Sequence, residues 1–245
     1  MVITSKSNQL IKDIIKLSSD RKFRKEAGLF VVEGIKPVNE CLASDCKIEK
    51  IVCREDLADK FPQAVLVSES VFNAVSTEKT PQGVLALVHI PKIKPAEPKN
   101  SCLLLDRLQD PGNLGTIIRC ANAAGYTELY LLNCTDAYSP KAVRASMSGI
   151  FFVKIYECTL SEAFGALANV PLICADMDGE NIFAFNAPEK FCLCIGNEGG
   201  GISEEVMKKA QYKVKIPMRE TCESLNAAVS AGIAMYQLKN SLLRG

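Results

Sequence analysis

Three stretches of the chain hold polar residues at spacings that suit a reaction better than a core. In DRLQDPGNLGTIIRCANAAGY, Asp110-Pro111-Gly112 reads as a turn and Asn113 is placed to cap the helix that follows. Arg119 lies about one and a half turns into that helix, which ends near Gly125. In FCLCIGNEGGGIS, a buried strand runs into Gly196, Asn197, Glu198 and the glycines 199 to 201, a loop whose backbone a ligand can approach closely. In YKVKIPMRETCESLNAAVSAGIAMYQLKN, Pro217 ends a strand, and Ser224 or Asn226 caps a long apolar helix. Taken singly, each stretch also reads blandly, as a capped helix with an exposed arginine, a flexible turn, and a core helix. Taken together, they hold the parts for orienting hydroxyls (Asn113, Glu198, Ser224, Asn226) and for gripping a phosphate with a planar cation (Arg119).

The elements that must position these residues follow from apolar patterning. SCLLLD, ELYLL, FFVKI, PLICA, FCLCI and YKVKI are short apolar strands separated by helical or loop segments, which implies a parallel sheet covered on both faces. Ligands of such sheets bind at the carboxyl ends of strands, here after Asp106, Ile195 and Ile216. Upstream, an early helix and the runs LFVVEG, KIEKIVC, AVLVS and VLALVHI indicate a smaller α/β domain. The proline-spaced segment PKIKPAEPKN resists packing. The expected division is therefore an N-terminal domain over 1–92, a linker over 93–100 and a catalytic domain over 101–245. Neither a Gly-x-Gly-x-x-Gly turn after the first strand nor a Gly-Lys-Ser/Thr phosphate loop occurs, which disfavours a conventional dinucleotide or NTP site.

The set Asn113, Gly115, Arg119 and Gly125, then Gly196-Asn197-Glu198-Gly199, then Ile216-Pro217-Met218 with Glu223-Ser224-Leu225-Asn226, resembles the three motifs of the SpoU, or TrmH-like, RNA ribose 2′-O-methyltransferases. Upstream, FVVEGIKPVNECL and TPQGVLALV are similar to the substrate-binding domain of the ribosomal RNA members. The resemblance implies a deep trefoil knot, a rare exception to unknotted topology, a homodimer, and S-adenosyl-L-methionine as methyl donor. It places Gly196, Asn197, Gly199, Gly201, Ile216, Met218 and Leu225 at the donor, and Arg119, Asn113, Glu198, Ser224 and Asn226 in catalysis. In this family the matching arginine has been proposed as general base; its pKa above about 12 favours an electrostatic clamp instead. Two departures stand out. Glu220 occupies a position where the family commonly has glycine, and Ala227-Ala228 stand where many members have Val-Ser.

The substrate implied is 23S-type ribosomal RNA, with transfer RNA as the alternative and a non-catalytic RNA-binding protein as the rival from another class. A net charge of +1 does not by itself announce a nucleic-acid binder. The basic cluster near the start offers phosphate contacts through Arg21, Lys22, Arg24 and Lys25, with Phe23 or Phe30 available to stack. Eleven scattered cysteines without a Cys-x-x-Cys pair, and a single histidine, point to a reducing cytoplasm and to no metal site. Cys102, Cys192 and Cys194 sit in apolar runs where a thiol acts as a small hydrophobe. No segment has the length and apolarity of a membrane span.

Overall fold

A computed structural model describes residues 2–242, in two α/β units. The N-terminal unit runs β1 (Val2–Ile3), α1 (Gln9–Ser19), α2 (Arg21–Ala27), β2 (Leu29–Glu33), α3 (Ile35–Leu42), β3 (Ile48–Arg54), β4 (Val65–Val67), α4 (Glu69–Val75) and β5 (Val84–His89). Its sheet has the order β1-β4-β3-β5-β2, with β5 antiparallel to both neighbours. Strand β1, two residues long, carries too little pattern to be seen in the sequence; it is defined only by pairing with β4.

The second unit runs β6 (Cys102–Asp106), α5 (Pro111–Ala124), β7 (Glu128–Leu132), α6 (Pro140–Ala145), β8 (Lys154–Glu157), α7 (Leu160–Ala166), β9 (Leu172–Asn181), β10 (Cys192–Ile195), α8 (Glu204–Met207), β11 (Tyr212–Lys215) and α9 (Ala227–Leu242). Its six strands are ordered β11-β9-β10-β6-β7-β8 and all pairings are parallel. The apolar run FFVKI enters its strand late: residues 149–151 form a 3₁₀ turn, and pairing starts at Lys154. Buried residues lie on both faces of the sheet, as a parallel sheet requires. Cys102, Cys174, Cys192 and Cys194 are fully buried on one of them, with Cys192 opposite Cys102 and Cys194 opposite Cys174 in register. These thiols are packing groups.

Residues 90–101 have no regular structure, yet they are tied down. Tyr130 Oη donates to Ala96 O at 2.5 Å, Lys99 N donates to Glu128 Oε2 at 3.0 Å, and Pro98 is buried. The two units also pack directly. Phe30 of β2 meets Tyr138 with ring centroids 5.0 Å apart, and one continuous apolar cluster runs through both.

The basic cluster near the start needs correction on this point. Arg24 is only 4% exposed. It pairs with the buried Asp136 of the second unit at 2.7 Å and donates to Leu17 O at 2.5 Å, so it carries no RNA contact. A buried guanidinium demands a buried carboxylate, and the tertiary fold supplies one 112 residues away. Lys25 and Arg21 both turn to Glu157 at the end of β8, at 2.5 Å and 3.5 Å, and Arg21 also donates to Cys134 O. Of the four cations assigned to RNA, Lys22 is the most exposed, at 84%, and meets only its helix neighbour Glu26 at 3.8 Å. Phe30, in the core beside Tyr138, has no face left for a base. These contacts seat the N-terminal unit at the carboxyl ends of β7 and β8, the end of the sheet where ligands bind.

Candidate active site

The site begins with a helix cap. Asp110, not Asn113, caps α5: its carboxylate accepts from Asn113 N at 2.9 Å, and Pro111 follows at the first helical position, where its missing N–H costs nothing. Lys141 of α6 reaches the same carboxylate at 2.6 Å. That hydrogen bond, and then the one from Asn113 N, hold the Asp110 carboxyl below its ordinary range. Because Asp110 takes the capping role, the Asn113 side chain is left for other work. Its Nδ2 donates to Glu198 Oε1 at 2.7 Å, and its Oδ1 accepts from Asn226 Nδ2 at 2.9 Å.

The direction of this chain is fixed from its far end. Asn226 caps α9, its Oδ1 accepting from Ala228 N at 3.0 Å and Val229 N at 3.3 Å. The oxygen therefore faces the helix, and the amide NH₂ must face Asn113. Asn113 in turn presents its oxygen to Asn226 and its NH₂ to Glu198. The three sequence stretches thus meet in one relay, Asn226 to Asn113 to Glu198.

The glycine-rich loop after β10 is held from within. Asn197 and Gly201 exchange backbone hydrogen bonds at 2.9 Å and 3.0 Å. Asn197 Oδ1 accepts from the N–H groups of Gly199 and Gly200, while its Nδ2 donates to Arg107 O at 2.8 Å. A Cβ on Gly196 would stand 2.2 Å from Gly201 C, so only glycine allows the loop to close on itself. Ser203 N donates to the buried carboxylate of Asp106 at 2.6 Å, anchoring the far end of the loop to β6.

Beside this loop lies a cleft of about 260 Å³. Gly196, Asn197, Gly201, Ile216, Met218 and Leu225 line it, together with Glu198 and Ser224. Gly199 does not. It sits exposed at the loop tip, where its N–H donates to Asn197 Oδ1. Arg119 also lies away from the cleft wall, exposed on α5 with no hydrogen bond or ion pair among the described residues. Ser224 reaches the wall but caps nothing.

Several lining groups were not singled out from the sequence: Asp176 and Met177 of β9, and Ser230 and Ala234 of α9. The one available signal was the pair of carboxylates Asp176 and Asp178 directly after an apolar strand run. Asp106 and Arg107 hold the loop from the neighbouring strand; the strand end at Asp106 was legible as a ligand-binding position, but not these contacts.

Comparison with known proteins agrees with this geometry. Residues 100–236 match the SpoU rRNA Methylase family. The chain belongs to that family. Residues 8–86 match the MRM3-like substrate binding domain. The 23S rRNA (guanosine(2553)-2′-O)-methyltransferase RlmP of Bacillus subtilis is 32% identical, over 97% of this chain and 98% of its own. A 23S rRNA (uridine(2479)-2′-O)-methyltransferase of Streptomyces viridochromogenes is 26% identical, over 94% and 88%. Among solved structures, the AdoMet-bound rRNA methyltransferase from Sinorhizobium meliloti superposes with a TM-score of 0.87 at 28% identity, over 99% of this chain and 98% of its own. The SpoU methyltransferase AviRb from S. viridochromogenes, in complex with AdoMet, gives 0.86 at 25% identity, over 97% and 100%. The mixed α/β fold with its parallel sheet is that of these SpoU enzymes.

Proposed function

We propose that the chain transfers a methyl group from S-adenosylmethionine to a ribose 2′-hydroxyl of ribosomal RNA, 23S-type by its likeness to the named relatives. The observation that carries this is the relay joining Asn226, Asn113 and Glu198 at the edge of the cleft. The cleft suits the donor. Ile195, Ile216, Met218 and Leu225 offer apolar walls for a flat heterocycle, and the carboxylates of Asp176 and Glu198 complement a cationic ligand. When bound, S-adenosylmethionine supplies an activated methyl group on a good leaving group.

The protein is then left to align the hydroxyl and manage its proton. Glu198, held by Asn113, presents a carboxylate, and Ser224 a hydroxyl, to the reacting ribose. Arg119 acts from outside the cleft by pairing with a phosphate of the RNA, its always-charged fork easing proton loss without taking the proton. Asn197 shapes the loop, and its donor role runs through the backbone.

The proposal includes the deep knot, since the 196–201 loop and residues 214–225 wall one cleft. It also includes a homodimer, supported by Val229 and Tyr236, seven residues apart on one face of α9 and 50% and 54% exposed. No described helix is long and apolar enough to cross a membrane, and a cytoplasmic enzyme is proposed. Incubation with radiolabelled S-adenosylmethionine and total RNA, followed by mapping, tests the activity. Label in a ribosomal RNA ribose is expected; label in transfer RNA, or none, overturns the reading.

A further inference from the structure

A second cleft, also about 260 Å³, lies where the two units meet, between β2 and α3 on one side and α6 with the turn after it on the other. Pro37 and Val32 wall it from the N-terminal unit, and Pro140, Val143 and Met147 from the catalytic one. Its polar groups are arranged for a mixed ligand. Lys36 stands at the mouth, 74% exposed and 3.8 Å from Glu40. Arg144 pairs with Glu78 and donates to Thr77 Oγ1 at 2.9 Å, which ties α6 to the N-terminal unit. Gln82 accepts from Ile35 N at 2.8 Å through its oxygen, and its NH₂ donates to no other described residue.

Two observations separate this cleft from a packing gap. Met147 and Ser148 have φ of 45° and 66°, consecutive non-glycine residues in the left-handed region, where L side chains are strained and where such strain tends to mark function. That turn keeps Met147 at the rim, 56% exposed, when a core methionine would be covered. Position is the second. Gly115 brings α5 so close to α6 that a Cβ would fall 2.3 Å from Ala142 O, and Lys141 of α6 grips the Asp110 cap. Only α6 and the turn after it, whose Gly149 packs against the backbone of Arg119, therefore stand between the cleft and the helix that carries Asn113 and Arg119.

We infer that this cleft receives one unpaired nucleotide of the RNA next to the methylated ribose. This rests on the proposed function and names a recognition subsite for it. The base lies against Pro37 and Met147. Its exocyclic amine meets Glu40, an acceptor of the kind that reads amino groups on base edges, whereas the Glu33 carboxylate is already engaged by Ser76 and Thr77. Its phosphate lies toward Lys36 and Arg144. A base within a duplex cannot enter, so the subsite selects a splayed loop nucleotide.

Ultraviolet cross-linking of the full chain to ribosomal RNA, with adducts mapped by mass spectrometry, should place adenosine, cytidine or guanosine on the peptides bearing Met147 or Pro37. Adducts confined to other surfaces overturn the subsite. Lys36→Glu and Met147→Ala, both at exposed positions, should each raise KM for the RNA about tenfold, the scale of one lost stacking or phosphate contact, while affinity for S-adenosylmethionine stays as in the parent. A KM equal to the parent's in both variants also overturns it. Cross-linking needs no methyl transfer, so failure of the subsite and failure of the proposed activity give different results.

Discussion

Asn113 carries two jobs that no other residue in the site can share, since it fixes the Glu198 carboxylate and reads the orientation of Asn226. Its side chain is near the surface, so replacing it removes the relay without opening a cavity. Asn113→Ala should lower kcat by a factor of at least about 100, the range of lost acid–base or orienting groups, with a melting temperature within about 2 °C of the parent, as for surface changes; steady-state kinetics and thermal denaturation would check both. Arg119 differs because it touches neither the cleft nor the relay. Arg119→Ala should abolish transfer with S-adenosylmethionine affinity unchanged by calorimetry, and a large loss of donor binding would remove the clamp role. Asp110→Ala should cost about 1 kcal/mol of stability as a lost N-cap, and it should also impair transfer, because the first turn of α5, which carries Asn113, would lose its anchor.

At the scale of elements, glycines decide what can approach what. Gly196→Val would drive a branched side chain into Gly201 and Ile202, both within 2.3 Å of the added Cβ, and neither neighbour is a flexible side chain. The loop must then open, and donor binding should fall at least about a hundredfold while circular dichroism shows the sheet intact; unchanged binding by a folded variant would remove the loop from the donor site. This expectation rests on the loop being exposed at its tip, where strain can relax outward and not into the core. Gly115 is the contrasting case. It lies buried between α5 and α6, so the same substitution there would force two packed helices apart and unfold the protein before it reported on chemistry.

The whole molecule is joined through a buried ion pair. Arg24 and Asp136 have side chains 5% and 10% exposed. Such a pair adds little net stability over an apolar pair, but breaking it strands a charge. Arg24→Ala should therefore destabilise the chain by about 3–5 kcal/mol, measured by denaturant unfolding, whereas Lys22→Ala should stay within about 0.5 kcal/mol as a solvated surface change. Removing residues 1–99 altogether leaves Asp136 free to hydrate. The remaining chain should still bind S-adenosylmethionine, melt at a lower temperature than the full chain because Tyr138 and its neighbours lose their cover, and methylate RNA poorly.

Much of this protein follows from local order along the chain. The six strands of the parallel sheet, the turn at Asp110-Pro111 and the glycine loop are local consequences of apolar runs, proline geometry and absent side chains, and they could be read without a fold. The family motifs likewise named Asn113, Glu198 and Asn226. What local order could not supply is the partners of the Asn113 side chain, because Glu198 and Asn226, 85 and 113 residues away, reach it only through the fold. Nor could it supply the fate of a charge. Arg21, Lys22, Arg24 and Lys25 are equivalent in composition, and only the arrival of Asp136 and Glu157 from another unit decides that Arg24 is buried and that Arg21 and Lys25 turn to a distant carboxylate, while Lys22 meets only its helix neighbour Glu26. Helix, strand and turn are set by neighbours in sequence; burial and charge pairing are set by neighbours in space, and those exist only once the chain has folded.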